Sequence, residues 1–443
     1  MPASWAAPTA YDRARMSDAA EVVSNRPTLA VATIGHHHSG KTSLTAAITE
    51  LLSRRSQGAV KAVTVRELER RGGWYGQWIG DVHDRANGRL ETRTIAASEV
   101  RYATEHRNFV HIDSPGWRPW LKNAARAQAL VDALIVVVSA PDGVQAQTHE
   151  HLLLARALGL SQLVVFLNKC DRVVDVEWLD MVEQDVRELL IRCGFDGDAT
   201  RIVRGAAAPT SAPERWEGCI GDLLEVLELE LQIPEPPATG SPLLYIDHVY
   251  PRQSGSDGKV VDGRVRRGRV RPGDTIAVVG FGEPLELLVS KLESNHKTIE
   301  QALAGEFVGL KLVRQGLQLR RHELRSGQAL VRPGQPAVRR LTAHLDLLAP
   351  GENGRRTPVR SGHVGLLLFG TAVVAGTFEV LGQETIAPGT GATVAVELLQ
   401  PVYLEPGMTF LLRDGNQGPL VPAGQPARWA GTSGMGRVLE VKP

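Results

Sequence analysis

At 443 residues the chain is longer than one hydrophobic core usually serves, so roughly two to four domains are expected, and 43% apolar against 22% charged residues excludes a disordered chain. The 50 Lys and Arg residues against 49 Asp and Glu leave a formal charge of +1, which excludes nucleic-acid binding by bulk charge and leaves it to local patches. No run approaches the ~20 apolar residues that span a bilayer, so no membrane partner is expected. MPASWAAPTAYDRAR has no apolar stretch of signal-peptide kind.

In chain order, residues 1–27 are rich in Ala, Ser and Pro without a convincing period, which predicts a disordered leader. Met16 is an alternative start to Met1. Residues 28–232 then alternate apolar β-type runs (LAVATI, NFVHID, ALIVVVSA, LVVFLNK, RIVR) with segments whose apolar residues recur at three and four (LTAAITELL, WLKNAARAQALV, THEHLLLARALG, VEWLDMVEQDVRELLIRC). That alternation predicts βαβ units, hence an α/β domain with a mostly parallel sheet and helices on both faces. A last helix, about Glu214 to Leu231, runs into the proline-rich linker 233–241. Beyond it come short strands separated by turn signals such as SGSDG, RPGD and RSGQ, and a break at RPGQP. Two antiparallel β-barrels, 242–335 and 336–443, are the expectation. Cys170, Cys193 and Cys219 are odd in number and lack metal-ligand spacing, which predicts free thiols in a reducing, cytoplasmic setting.

The stretch GHHHSGKT comprises Gly35, His36, His37, His38, Ser39, Gly40, Lys41 and Thr42. Three successive histidines admit a metal site, a tag remnant or part of a phosphate loop. The pattern G-x-x-x-x-G-K-[ST], placed after a strand and before a helix, favours the last reading. Backbone amides would wrap phosphates, the helix start (continuing through Ser43) would add positive potential, Lys41 would reach the β/γ oxygens and Thr42 would ligate Mg²⁺. Asp113 and Gly116 of DSPG close a strand where a carboxylate can serve Mg²⁺ and a glycine amide can face a γ-phosphate. In Asn168-Lys169-Cys170-Asp171 the aspartate can accept from guanine N1–H and N2–H₂ while Lys169 lies along the base, which selects GTP and GDP over adenine nucleotides. Each motif alone is weak; ordered at strand ends, they form a strong set.

With these motifs, VFLNKCD, TRIVRGAA, GRVRRGRVRPGD, LAGEFVG, SGQALVRPG and GRRTPVRSG, the chain resembles elongation factor Tu and the wider translational GTPases. The resemblance implies a GTP-switched domain and two barrels that grip aminoacyl-tRNA and deliver it to the ribosome, a nucleotide exchange factor as a partner, and a monomer. It implies that Thr94 closes over Mg²⁺ and the γ-phosphate, that Ala206, Ala207 and Ala208 form the last guanine motif without its usual hydroxyl, and that Lys122 and Asn123 help hold the tRNA 5′ end. GTSGMG keeps the glycine pattern of the loop facing the T stem.

Departures are as informative. Trp117 stands where the family has the histidine that orients the attacking water, and indole can donate one hydrogen bond but not accept one. Slow or absent hydrolysis is expected; the alternative is that His37 or His38 substitutes. His37 and Arg93 replace apolar residues beside the water, and His38 replaces an aspartate. Phe307 replaces an aminoacyl-pocket Asn, Glu99 a switch-region His and Asp247-His248 a Glu-Asp pair on the first barrel strand, while Tyr250 keeps an aromatic. Val364 and Leu366 replace polar residues in the last barrel. Five arginines, Arg264, Arg266, Arg267, Arg269 and Arg271, crowd one expected hairpin, read either as RNA-phosphate contacts or as a solvated edge. Three functions follow: a GTP-dependent aminoacyl-tRNA carrier, a slow or non-hydrolysing GTP-switched regulator that binds ribosome, RNA or protein, and a GTPase subunit that activates a metabolic enzyme.

Overall fold

The computed structural model describes residues 26–58, 60–70, 81–83, 90–92, 98–114, 130–211, 213–216, 218–234, 239–250, 258–294, 297–320, 322–350, 354–414 and 431–442. The chain falls into two compact units that part in sequence between Ile233 and Pro234.

The first unit holds strands β1 (Thr28–Ile34), β2 (Asp81–His83), β3 (Leu90–Thr92), β4 (Ser98–Ala103), β5 (Asn108–Asp113), β6 (Ala133–Ser139), β7 (Gln162–Asn168) and β8 (Ile202–Arg204). Its helices are α1 (Lys41–Arg55), α2 (Val65–Arg70), α3 (Ala146–Ala157), α4 (Val176–Arg192), α5 (Pro213–Trp216) and α6 (Cys219–Leu229). Six strands form one sheet in the order β4-β5-β1-β6-β7-β8. All neighbours are parallel except β4, which runs antiparallel to β5. Every residue of β5 and β6 is buried, so both faces of the sheet are covered, which is why β6 reads as an apolar run; β5 buries the polar Asn108, His111 and Asp113 besides its apolar residues.

α4 shows how the helices are specified. Asp175 caps it by accepting from Glu177 N at 2.9 Å, and Leu179, Val182, Val186, Leu189 and Leu190 make one buried stripe. The expected last helix is instead two, α5 and α6, with Gly218 starting the second. The expected leader is also shorter at its end: Asn108 donates to Pro27 O at 3.0 Å and to Arg26 O at 3.0 Å, which fastens these two residues beside β5. Residues 1–25 and most of WLKNAARAQALV lie outside the described residues.

The second unit holds two closed antiparallel barrels of six strands each. The first runs from β9 (Leu243–Val249) through β10 (Gly258–Arg267), β11 (Arg269–Val270), β12 (Thr275–Val279), β13 (Leu285–Ser294), β14 (Lys297–Thr298), β15 (Ala302–Leu303), β16 (Phe307–Val313) and β17 (Ala329–Val331). It closes in the order β12-β17-β9-β10-β16-β13, with β13 back on β12. The second comprises β18 (Val338–Leu347), β19 (Val359–Arg360), β20 (His363–Phe369), β21 (Ala372–Val380), β22 (Thr385–Ile386), β23 (Gly391–Val402), β24 (Thr409–Asp414) and β25 (Gly431–Lys442). It closes as β18-β23-β21-β20-β24-β25. Alternate residues fill each interior, such as Leu341, Ala343, Leu345 and Leu347 of β18.

A seam joins the barrels. Leu243, Val279, Ala329 and Val331 of the first pack with Tyr403 of the second. Arg267 donates to both Glu405 oxygens at 3.0 and 2.8 Å, and the Tyr403 hydroxyl donates to Glu405 Oε1 at 2.6 Å. Among the described residues no helix is long and apolar enough to cross a membrane.

Candidate nucleotide site

β1 lies between β5 and β6, so its carboxyl end opens at the point where successive connections diverge, the usual ligand crevice of an open α/β sheet. β1 runs into Gly35, whose φ is 139° and whose Cβ, if present, would lie 2.2 Å from the Val137 carbonyl oxygen. At the other end of the loop, Gly40 has φ 95°, and a Cβ there would lie 2.1 Å from Asn168 Nδ2. Only glycine fits either position. Gly40 starts α1 with no side-chain cap and no acidic residue in the first turn, so the first-turn amides keep their positive potential for a ligand.

Lys41 Nζ donates to Gly35 O at 3.1 Å and to His36 O at 2.7 Å, inside the loop's curve. Burial pushes this ammonium down to about 8, partly opposed by Asp113. Thr42 Oγ1 donates to Asp113 Oδ2 at 2.7 Å, and Thr33 Oγ1 donates to Asp113 Oδ1 at 2.9 Å. Burial raises the Asp113 carboxyl, against the opposing pull of Thr42, Lys41 and Thr33. Thr42 and Asp113 therefore meet at one point, as two oxygens serving a hard cation must. Ser43 follows in the first turn of α1 and is half-buried.

The three histidines differ. His36 is buried, with Nε2 3.6 Å from Asp142 Oδ2; burial and then Lys41 push it down to about 4, so it is neutral near pH 7. His37 is half-buried and His38 exposed, with ring centroids 3.6 Å apart. His36 Nδ1 and Ser39 Oγ are buried and have no hydrogen-bond partner among the described residues. Orphaned polar atoms of this kind fit a loop that closes on a polar ligand.

Helix α3 braces the loop from behind. Gly35 N donates to His151 Nδ1 at 3.1 Å, and His37 N donates to Gln147 Oε1 at 2.9 Å. Burial, then Lys41, holds His151 down to about 3, which keeps it a neutral acceptor. No sequence motif marked either residue; a histidine on an apolar helical stripe was the only signal.

The base-side segments interlock with the loop. Asn168 Nδ2 donates to Ser39 O at 2.8 Å, and Asn168 Oδ1 accepts from Ala207 N at 2.9 Å. Ala206 is buried and Ala208 exposed. Lys169 has φ 62°, and its Nζ lies 3.7 Å from Asp142 Oδ2, so Asp142 stands between His36 and Lys169. Burial lowers the Lys169 ammonium, with Asp142 opposing. Asp171 Oδ2 accepts from Thr210 N at 2.8 Å and Thr210 Oγ1 at 2.9 Å. Burial alone would raise this carboxyl, but the Thr210 bonds hold it low. The alanine run lacks the motif's usual hydroxyl; Thr210 supplies one to Asp171, because the loop after Ala208 returns to it. The three cysteines are buried, and Cys170 and Cys219 lie beside these segments, with Sγ donating to Leu167 O and Ala206 O at 3.1 and 3.9 Å. Thr94, Gly116, Trp117, Lys122 and Asn123 lie outside the described residues.

In the second unit the arginine run is not one hairpin. Gly268, at φ 71°, separates β10, which pairs with β9 and β16, from β11, which pairs with β15. Two of the four arginines expected to contact RNA are engaged within the unit. Arg264 is buried, donates Nε to Gly305 O at 2.9 Å and lies 5.3 Å from the Phe307 ring centroid. Arg267 is held by Glu405 in the seam. Arg266 and Arg269 are exposed. Phe307 is buried under Arg264, and the Tyr250 hydroxyl donates to Asp262 at 2.7 Å.

Residues 26–232 match the family model described as the elongation factor Tu GTP binding domain, and residues 335–425 match the elongation factor Tu C-terminal domain. The phosphate loop, the DSPG strand end and the NKCD segment described above all fall inside the first match, which implies binding of guanine nucleotide. The chain belongs to the elongation factor Tu-like translational GTPases.

Proposed function

We propose that this chain is a GTP-dependent carrier of aminoacyl-tRNA, for translation or for a specialised acceptor, and that it hydrolyses GTP slowly. The observation that carries the nucleotide half is Asn168, which ties Ser39 O to Ala207 N and so couples the phosphate loop to the base segment. In this reading Asp171, oriented by Thr210, accepts from guanine N1–H and N2–H₂. Lys41, largely protonated below its depressed value of about 8, turns from the Gly35 and His36 carbonyls to the β/γ oxygens. Thr42 and Asp113 are the described residues that would hold Mg²⁺, joined by Thr94. When bound, that ion neutralises phosphate charge. The slow-turnover half rests on Trp117, an indole where the family places a water-orienting histidine. The carrier half rests on family membership and on Lys122 and Asn123.

A second reading, a slow or non-hydrolysing regulator, is favoured by Phe307. Its ring is buried beneath Arg264, which leaves an apolar side chain where the family's aminoacyl pocket has an amide. Capture from a lysate with GTP or GDP loaded discriminates the two. Enrichment of aminoacylated tRNA in the GTP state alone is expected; ribosome or protein without tRNA favours the regulator. Turnover in Trp117→His should rise on the order of 10² to 10⁴. Family-like turnover in the parent chain would sink the slow-hydrolysis claim.

A further inference from the structure

Beneath the phosphate loop runs a chain of buried polar groups with no assigned role in holding nucleotide. Tyr102 on β4, His111 on β5 and Thr45 on α1 are each 0% exposed. The Tyr102 hydroxyl lies 3.1 Å from His111 Nδ1, and His111 Nε2 lies 3.3 Å from Thr45 Oγ1. Thr45 Oγ1 donates onward to the Lys41 carbonyl at 3.2 Å. Register aligns these groups. His111 sits opposite Val31 of β1 and Val100 of β4, two residues before Asp113, so both side chains rise toward the first turns of α1.

Proton directions follow from counting hydrogens. A hydroxyl has one. The assignment that gives every hydrogen an acceptor directs the Thr45 hydrogen at the Lys41 carbonyl, so that Thr45 accepts from His111 and Nε2 is the protonated nitrogen. Nδ1 is then a bare acceptor and Tyr102 must be the donor. An imidazolium would present two donors and leave the Tyr102 hydrogen without an acceptor. Every hydrogen bond in the chain thus points from the antiparallel edge strand toward the residue that opens the phosphate-binding helix.

We infer that His111, as the Nε2–H tautomer, is a positioning residue that ties β4 through Thr45 to the Lys41 carbonyl and holds the first turn of α1 where Lys41 and Thr42 meet nucleotide. The inference rests on reading this loop as the nucleotide site. Packing alone would make any flat ring of similar size acceptable at His111, whereas a directed chain requires a donor toward Thr45.

Release of fluorescent N-methylanthraniloyl-GDP from the full chain tests this with His111→Phe, His111→Gln and Tyr102→Phe. His111→Phe is expected to speed release about tenfold, the factor a lost buried hydrogen bond carries. His111→Gln keeps an N–H donor toward Thr45 and should stay within about threefold of the parent. Long-range ¹H–¹⁵N spectra should show His111 protonated at Nε2. Parent-like release from His111→Phe, equal release from the Phe and Gln variants, or an Nδ1–H tautomer would each overturn the inference. Should His111→Phe fail to fold, Tyr102→Phe decides: faster release supports the chain, and an unchanged rate overturns it. If no version, the parent included, binds guanine nucleotide, the reading of the site fails instead.

Discussion

The Gly35 amide donates to His151 Nδ1 across 3.1 Å, and that bond exists only while the imidazole is neutral. His36, His111 and His151 are all buried and pushed down, to about 4, 3 and 3. Between these values and the ordinary 6.5, the unfolded chain binds protons that the folded chain refuses. Stability therefore rises with pH across that window and is fully present above it. Each imidazole removes up to about 1.4 kcal/mol per pH unit on acidification. Urea unfolding followed by tryptophan fluorescence, to which Trp178 and Trp216 of the first unit contribute, should show a lower midpoint at pH 5 than at pH 7.5. Equal midpoints would mean that these histidines titrate normally.

Gly40→Ala should abolish nucleotide binding while the barrels stay folded. The added methyl meets Asn168 Nδ2 at 2.1 Å, and the φ of 95° disfavours any Cβ, so the amide must leave Ser39. Asn168→Ala frees the same two backbone partners without the clash. Leaving them unpaired costs about 1 to 3 kcal/mol, or a roughly 5- to 150-fold loss of GDP affinity. Titration calorimetry reads both, and parent-like affinity in either variant would show that the two segments are not coupled.

Much of this architecture was legible in the chain. Strands β1, β6 and β7 read as apolar runs, because a place inside a sheet covered on both faces asks for little else. β4 did not: SEVRYA carries two charges in six residues, and its place as the antiparallel edge emerges only from pairing with β5. His151 and Gln147 were illegible because they act from α3 on backbone more than a hundred residues earlier. The arginine run misled for another reason. Strand parity would put Arg264 and Arg266 on one face, but a register shift between Val265 and Arg267 breaks the alternation, and one is buried while the other is exposed.

Replacing Asp171 with Asn should exchange base preference. A carboxylate accepts from guanine N1–H and N2–H₂, whereas a carboxamide offers one acceptor and one donor, which suits the 2-oxo group of xanthine. Competition binding should show GDP affinity falling and xanthosine diphosphate affinity rising. If both fall equally, Asp171 does not face the base.

The arginines should separate into two classes. Arg269→Ala should lower the salt slope of RNA or ribosome binding by about one unit and leave thermal stability unchanged. Arg267→Ala should do the reverse, destabilising the second unit by about 1 kcal/mol, because the Glu405 pair is about one-third exposed and partly screened. The Arg267 hydrogen bonds hold Glu405 below the ordinary carboxylate value, so this contribution is present above that value and fades as pH falls. Scanning calorimetry at pH 7 and pH 4 checks the sign, and a salt slope altered by Arg267→Ala would refute the division.

Cys170, Cys193 and Cys219 are all buried and all belong to the first unit. Burial pushes the Cys170 thiol up to about 11, so at neutral pH it holds almost no thiolate and is shielded as well. A thiol reagent added to native protein therefore modifies only molecules whose first unit has opened. Labelling is a built-in clock: its rate counts openings of the GTPase domain one by one, while the barrels, which carry no sulfhydryl, stay silent.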